Sequence, residues 1–184
     1  AGLAAHFARL TRSLNELGIR VELLVPDFHN RSEHLSVIAD AHPAVIAHNM
    51  ETVLRLSPWV RPQAQYERSL NFFRYLRSTY PEVIRKSAFM VGLGEERAEI
   101  EQLLDDMQTA GIDIVSIGQY LRPSADQAEV RKVYSDAEFA ELEKSVRARG
   151  FLAWEVGPFV RSSYMAHETL KKVNAEILLR RNGK

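Results

Sequence analysis

Short apolar runs alternate with helix-length amphipathic stretches from one end of this chain to the other, and that alternation limits the fold more than any other feature. Residues 6–17 carry apolar side chains at helical spacing and stop at Gly18, a helix breaker. Residues 21–28, VELLVPDF, read as a strand buried on both faces and ended by Pro26. The cycle then repeats. A short helix over residues 31–41 leads through Pro43 into AVIAHNMET, strand then loop. Residues 62–79 predict a long amphipathic helix closed by Tyr80-Pro81, KSAFMVGL a third strand, and residues 95–110 another helix. Gly111 resets the chain into IDIVSIGQY, a fourth strand that ends at LRPS. After a helix over residues 136–149, FLAWEVGPFVRSSY leaves room for a fifth strand with a polar end. Repeated βα units of this kind predict an α/β fold with a parallel sheet, either open and doubly wound or curved into a barrel.

Each apolar run is followed at once by ligand-type side chains or glycines: Asp27, Phe28 and His29; His48, Asn49 and Glu51; Gly92, Gly94 and Glu95; Gln119, Tyr120 and Arg122. In parallel α/β folds the carboxyl ends of the strands form the ligand face, so these groups would meet at one mouth. Any one of them is as well explained by ordinary loop polarity or helix capping. Four in succession weigh against that. Gly92 and Gly94 would let a ligand approach the backbone, and a helix following them favours an anionic group. The full G-x-G-x-x-G pattern is absent, because Arg97 stands where its third glycine would be. Glu51 could accept two hydrogen bonds from a ribose diol, or be an acid in the first turn of a helix.

Composition closes several other routes. The 184 residues hold 24 Lys and Arg against 24 Asp and Glu, so no net field gathers nucleic acid or an anionic membrane. No apolar run approaches the roughly 18 residues of a membrane span, and AGLAAHFARLTRSL lacks the pattern of a secretory signal; a cytoplasmic protein is expected. The chain has no cysteine, which removes disulfides, zinc-thiolate sites and cysteine-held iron-sulfur clusters from its own repertoire. His29 and His34, and His42 and His48, lack the spacing of a helical zinc pair, and no H-E-x-x-H or G-x-S-x-G occurs. His48, at a strand end, is better suited to holding a site by hydrogen bonding. Trp59, Trp154, Phe72, Phe73 and Tyr75 are expected in the core or in helix packing.

AHNMETV, VRPQAQYERSL, KSAFMVGLGE, IVSIGQYLRPS and GPFVRSSYMA stand in an order and spacing that resemble the lipoyl synthases, a family of radical S-adenosylmethionine enzymes. GLAAHFA and VELLVPDF also look like the middle of that family, so the resemblance runs from about residue 2 to residue 168. It implies a partial six-stranded (βα) barrel with two four-iron four-sulfur clusters. One splits S-adenosylmethionine to a 5′-deoxyadenosyl radical; the other supplies sulfur for C6 and C8 of an octanoyl chain. That chain is carried on a lysine of a lipoyl carrier, the H protein or an acyltransferase subunit of a 2-oxoacid dehydrogenase. By the same resemblance Asn49 and Glu51 lie near the nucleoside, and Lys86, Gly92, Gly94 and Glu95 line the S-adenosylmethionine cleft. Gln119 and Tyr120 close its mouth, and Arg61 and Arg68 are candidates for the methionyl carboxylate or the substrate. RSSY contains a serine, Ser162 or Ser163, that would ligate an iron of the sulfur-donating cluster.

In the family both cysteine triads precede the matched region. The chain is therefore expected to be the C-terminal part of a lipoyl synthase, with Ala1 not a natural start. Residues 1–150 would form a partial barrel of four strands and residues 151–184 a C-terminal segment carrying RSSY. Alone it is expected to build neither cluster and to leave S-adenosylmethionine intact. Gln127 and Ala128-Glu129 depart from the family's usual histidine and Leu-Pro after LRPS, which puts the role of that loop in doubt. Two other readings stand beside this one: a cysteine-free binding or scaffolding module derived from the barrel, and an unrelated barrel enzyme with Glu95 or His48 as base.

Overall fold

The computed structural model describes residues 2–182, without the side chains of residues 180–182. Helix α1 (Gly2–Glu16) leads into strand β1 (Glu22–Leu24), a 3-10 turn (Phe28–Asn30) and α2 (Ser32–Ala39). Strand β2 (Val45–Ala47) is followed by a short helix α3 (Ser57–Val60) and a long one, α4 (Tyr66–Thr79). Then come β3 (Ile84–Val91), α5 (Arg97–Ala110), β4 (Ile114–Gln119), α6 (Asp136–Ala148), β5 (Ala153–Val156) and α7 (Ala166–Asn182). All five strands are parallel and lie in the order β1-β2-β3-β4-β5. A doubly wound sheet reverses its strand order at a switch point; this one never does, so the chain winds in one direction as barrels do.

The ladder register assigns the two faces. Leu24, Ala47, Lys86, Ile114 and Ala153 stand in one row across all five strands. Ala88, Ser116 and Glu155 form the next row on the same face, and Met90 pairs with Gly118 in the row beyond. Apart from Met90, these side chains are small or polar toward the carboxyl ends of the strands, as suits an inner wall that leaves space. The opposite face carries Leu23, Ile46, Phe89, Val115 and Ile117, which join Phe72, Phe73, Leu76, Ile100, Leu103, Leu142 and Val146 from the helices in one apolar core. Each such side chain taken fully from water contributes about 1.5–3 kcal/mol, so this layer holds the wall in place.

Local signals set several boundaries. Ser135 accepts from the Glu138 amide while the Glu138 carboxylate accepts from the Ser135 amide, a reciprocal cap that starts α6. Gly111, at φ 85°, ends α5 in the left-handed conformation.

Two expectations need correcting. β1 covers only three residues, and Leu24 is 51% exposed: its core-side face is buried at Leu23 while its inner face is open. The long helix starts at Tyr66, because Gln65 is extended, and residues 57–60 form a separate turn of helix with Pro58 in its first turn. The fifth strand for which the sequence left room is present as Ala153–Val156, which pairs with β4. Helix α7, on which the sequence reading is silent, lies on the inner face at the amino-terminal end of the sheet, where Val173 is buried against Ile114 and Ala153. No described helix is long and apolar enough to cross a membrane.

Candidate functional site

β2 ends in an irregularity that builds the site. Ala47 is opposite Lys86, yet Glu51 is opposite Phe89, so four steps along one strand match three along its neighbour. The extra residue is a β-bulge, rare in parallel sheets and a device for re-aiming side chains. Glu51 takes up the distortion at φ 64°, while its amide donates to Ala88 O (3.0 Å) and its carbonyl accepts from the Met90 amide (2.8 Å). Asn49 Nδ2 donates to Glu51 Oε1 (3.1 Å), and Asn49 Oδ1 is buried with no partner. Glu51 therefore belongs to a strained strand end, not to the first turn of a helix.

Two cavities adjoin at this bulge. The smaller, about 110 Å³, is lined by Asn49, Glu51, Met90, Ser116, Gly118 and Ser162 among others. The larger, about 680 Å³, shares Glu51 and Met90 and adds Trp59, Arg61, Tyr120 and the loop after β4. Of the residues singled out in the sequence, Asn49, Glu51, Arg61, Tyr120 and Ser162 line these spaces. Trp59, expected in the core, is 55% exposed at the rim.

Arg61 is held from behind. Its Nη1 donates to Met50 O (3.0 Å) and lies 3.4 Å from Ser69 Oγ, and among the described residues it forms no ion pair. Burial lowers its pKa, with the negative charge of Glu51 acting against that. Ser69 contacts His48 Nε2 (2.9 Å), whose other ring nitrogen is 2.9 Å from Val25 O. A carbonyl can only accept, so Nδ1 carries the hydrogen and Nε2 of the neutral ring accepts from Ser69. Burial holds the His48 pKa down at about 4, and this imidazole is therefore a neutral spacer between β1, β2 and α4. Beside it Arg68 donates to Asp27 Oδ2 (2.5 Å); burial raises that carboxyl's pKa, but the Arg68 and His29 contacts outweigh it and hold it low.

Other sequence-selected residues line neither cavity. Glu95 accepts from the amides of Gly92 (2.6 Å) and Leu93 (2.9 Å) and from the Tyr134 hydroxyl (3.0 Å), so the glycine turn is already filled by the chain's own carboxylate. A Cβ on Gly92 would lie 2.3 Å from Gln119 Nε2 and 2.5 Å from Lys132 O: the close approach is to the chain's own loop. Gln119 spans that loop, donating to Lys132 O (3.0 Å) and accepting from the Tyr134 amide (2.9 Å). Gly94 offers its carbonyl to Arg55. Lys86 is buried on the inner face and is taken up by Glu22, at 2.9 and 3.0 Å. Ser163 lines neither space.

Sequence reasoning missed Ser116, Gly118 and Arg161. Gly118 is needed because a Cβ there would sit 2.2 Å from Val160 O; its absence lets the segment after β5 lie against β4 and brings Ser162 to the cavity. Alternation along IVSIGQ could have put Ser116 and Gly118 on the same face, but nothing local says which face is inner.

Comparison with known proteins bears on the family and the fold. The lipoyl synthase of Symbiobacterium thermophilum is 45% identical over 184 residues, covering 99% of this chain and 56% of that protein. That of Methanocella arvoryzae is 45% identical over 176 residues, covering 94% and 60%. The chain is homologous to lipoyl synthases. It spans somewhat more than half the length of these lipoyl synthase relatives. No family model matches it. Among solved structures, Streptococcus suis SuiB superposes with a TM-score of 0.63 at 14% identity, over 80% of this chain and 35% of SuiB. SuiB bound to S-adenosylmethionine gives 0.61 at 15%, over 76% and 32%. At such identity the likeness is one of fold, and it fits a barrel-type winding of parallel βα units for this lipoyl synthase homologue.

Proposed function

We propose that this chain is the nucleoside- and substrate-binding part of a lipoyl synthase, which inserts two sulfur atoms at C6 and C8 of an octanoyl group on a carrier protein. The observation that carries the reading is the bulge at residues 48–51, which presents Asn49, with an unpartnered acceptor, and Glu51 to a cavity adjoining the one lined by Arg61, a guanidinium with no ion pair among the described residues. S-adenosylmethionine has the matching polarity. Its ribose hydroxyls can donate to Asn49 Oδ1 and Glu51, and its methionyl carboxylate can meet Arg61. Tyr120 borders the same cleft. Lys86, Gly92, Gly94, Glu95 and Gln119 act from behind the wall: they fix the inner face and the loop after β4.

The donor set of this chain does not suit a four-iron cluster. No cysteine is present, and the described residues contain no group of three or more His, Asp or Glu able to hold a metal. The clusters of the family, which supply the electron and the sulfur, would need thiolates from outside these 184 residues. Of the two RSSY serines, Ser162 lines the cavity and is the one suited to add an oxygen ligand. The octanoylated carrier would approach the larger cleft, and the setting would be the cytoplasm.

Titration calorimetry with S-adenosylmethionine tests the binding assignment: wild type should bind, and Glu51→Gln and Arg61→Met should each weaken binding. Anaerobic treatment with iron and sulfide followed by a 5′-deoxyadenosine assay should give no product from this chain alone. Absence of binding, or formation of product, overturns the proposal.

A further inference from the structure

Ser116 stands in the middle of β4, 1% exposed, with its backbone in the ladder and its hydroxyl buried without a partner. A buried hydroxyl left unpaired costs stability, and alanine at the same position would carry no such cost. Five side-chain atoms among the described residues are buried and unpartnered, and two of them, Asn49 Oδ1 and Ser116 Oγ, belong to residues that line the smaller cavity. Between them in the sheet stands Ala88 on β3, which pairs with Ser116 and contributes only a methyl group. The two residues that carry the orphan atoms thus border one space, with Glu51 beside them.

Their chemistry selects a ligand group. Asn49 Oδ1 and the Glu51 carboxylate can only accept, whereas Ser116 can donate as well as accept. An anionic group would be repelled by Glu51 and leave Asn49 Oδ1 unpaired. A hydroxyl satisfies both sides, donating to Asn49 or Glu51 while its oxygen accepts from Ser116, and a vicinal diol offers two such groups. We propose that Ser116 is a ligand-contacting residue that, together with Asn49 and Glu51, reads the hydroxyls of a nucleoside ribose. The inference rests on the nucleoside reading above and adds a third contact, from the far side of the cavity.

Titration calorimetry of wild type and Ser116→Ala with adenosine and with 2′,3′-dideoxyadenosine tests it, beside thermal melts of both unliganded proteins. One neutral hydrogen bond lost to a ligand corresponds to about a 3- to 10-fold loss of affinity. Adenosine should weaken by that factor in Ser116→Ala, dideoxyadenosine should bind both proteins equally, and the unliganded variant should melt no lower than wild type. Equal adenosine affinity in both proteins, or a clearly lower melting temperature for the unliganded variant, overturns the role of Ser116 and leaves the nucleoside reading standing. Failure of wild type to bind any nucleoside removes both.

Discussion

Gly118 offers the most direct test of how the C-terminal segment is held against the barrel wall. In Gly118→Ala the new methyl would be placed 2.2 Å from Val160 O, 3.2 Å from Val160 C and 3.1 Å from an Arg161 guanidinium nitrogen. Ordinary contact begins near 3.4 Å, so one partner must retreat by roughly 1 Å. β4 cannot supply that movement, because Gly118 sits opposite Met90 within a six-residue ladder to β3. The segment after β5 can: Val160 is held by its own amide to Gly157 O (3.2 Å) and by Arg161 Nη1 to its carbonyl (2.6 Å). Overpacking of this size costs about 2 kcal/mol, which for a domain of this length lowers the melting temperature by about 4–8 °C. Ser162, two residues on, moves out of the smaller cavity with it. Thermal unfolding by circular dichroism reads the first effect and adenosine calorimetry the second. Gly157→Ala is the control, since its Cβ would meet nothing closer than Val160 Cγ2 at 3.7 Å, and it should melt like wild type. If Gly118→Ala also melted like wild type and bound adenosine equally well, the reasoning that Gly118 admits this segment would be refuted.

Two further perturbations follow from buried charge. His48 has a folded pKa of about 4 against an ordinary 6.5, so between those values the unfolded chain binds more protons and stability falls as the pH drops. The loss attributable to this ring is about 2 kcal/mol from pH 7 to pH 5; urea titrations at the two pH values should show that His48→Gln lacks this part of the slope, and an unchanged slope would refute it. For the Lys86–Glu22 pair, Glu22→Gln strands a nearly inaccessible ammonium and should cost about 3 kcal/mol. Lys86→Met should cost less, because Glu22 retains access to water at 19% exposure, and denaturant titration of the two variants would expose the reverse order.

The fold was legible because its two strongest signals are local. Buried strands such as IVSIGQ and breakers such as Gly111 show in any short window, and the order of elements follows from them. What escaped depends on relations between distant segments. That β1 ends the sheet, and that its inner face is open at Leu24, depends on its neighbours and not on VELLVPDF. α7 packs through Val173 against Ile114 and Ala153, partners with no mark in its own sequence. At the site, Arg61 came only from the family resemblance, whereas Asn49 and Glu51 were visible because polar residues after an apolar run stand out. Ser116 and Gly118 were hidden within one, where a serine and a glycine look like ordinary strand residues until the face they occupy is known.

Visibility in the sequence therefore divides from position in the site, and the division has a physical reason. A glycine turn draws attention because glycine tolerates close approach, but the approach at Gly92 is made by Gln119 and Lys132 of the same chain. The Glu95 carboxylate fills the amides an anion would otherwise use. Such residues shape the cleft by fixing the loop on its far side, so substituting them should change affinity and stability together. Residues that line the cavities with unmet hydrogen-bonding capacity behave differently. Asn49 Oδ1 and Ser116 Oγ are unsatisfied in the unliganded chain, so their loss should cost binding without costing the fold. A substitution series scored for both quantities would separate wall from lining by measurement, and on this geometry Gly92, Glu95 and Gln119 fall on one side and Asn49 and Ser116 on the other.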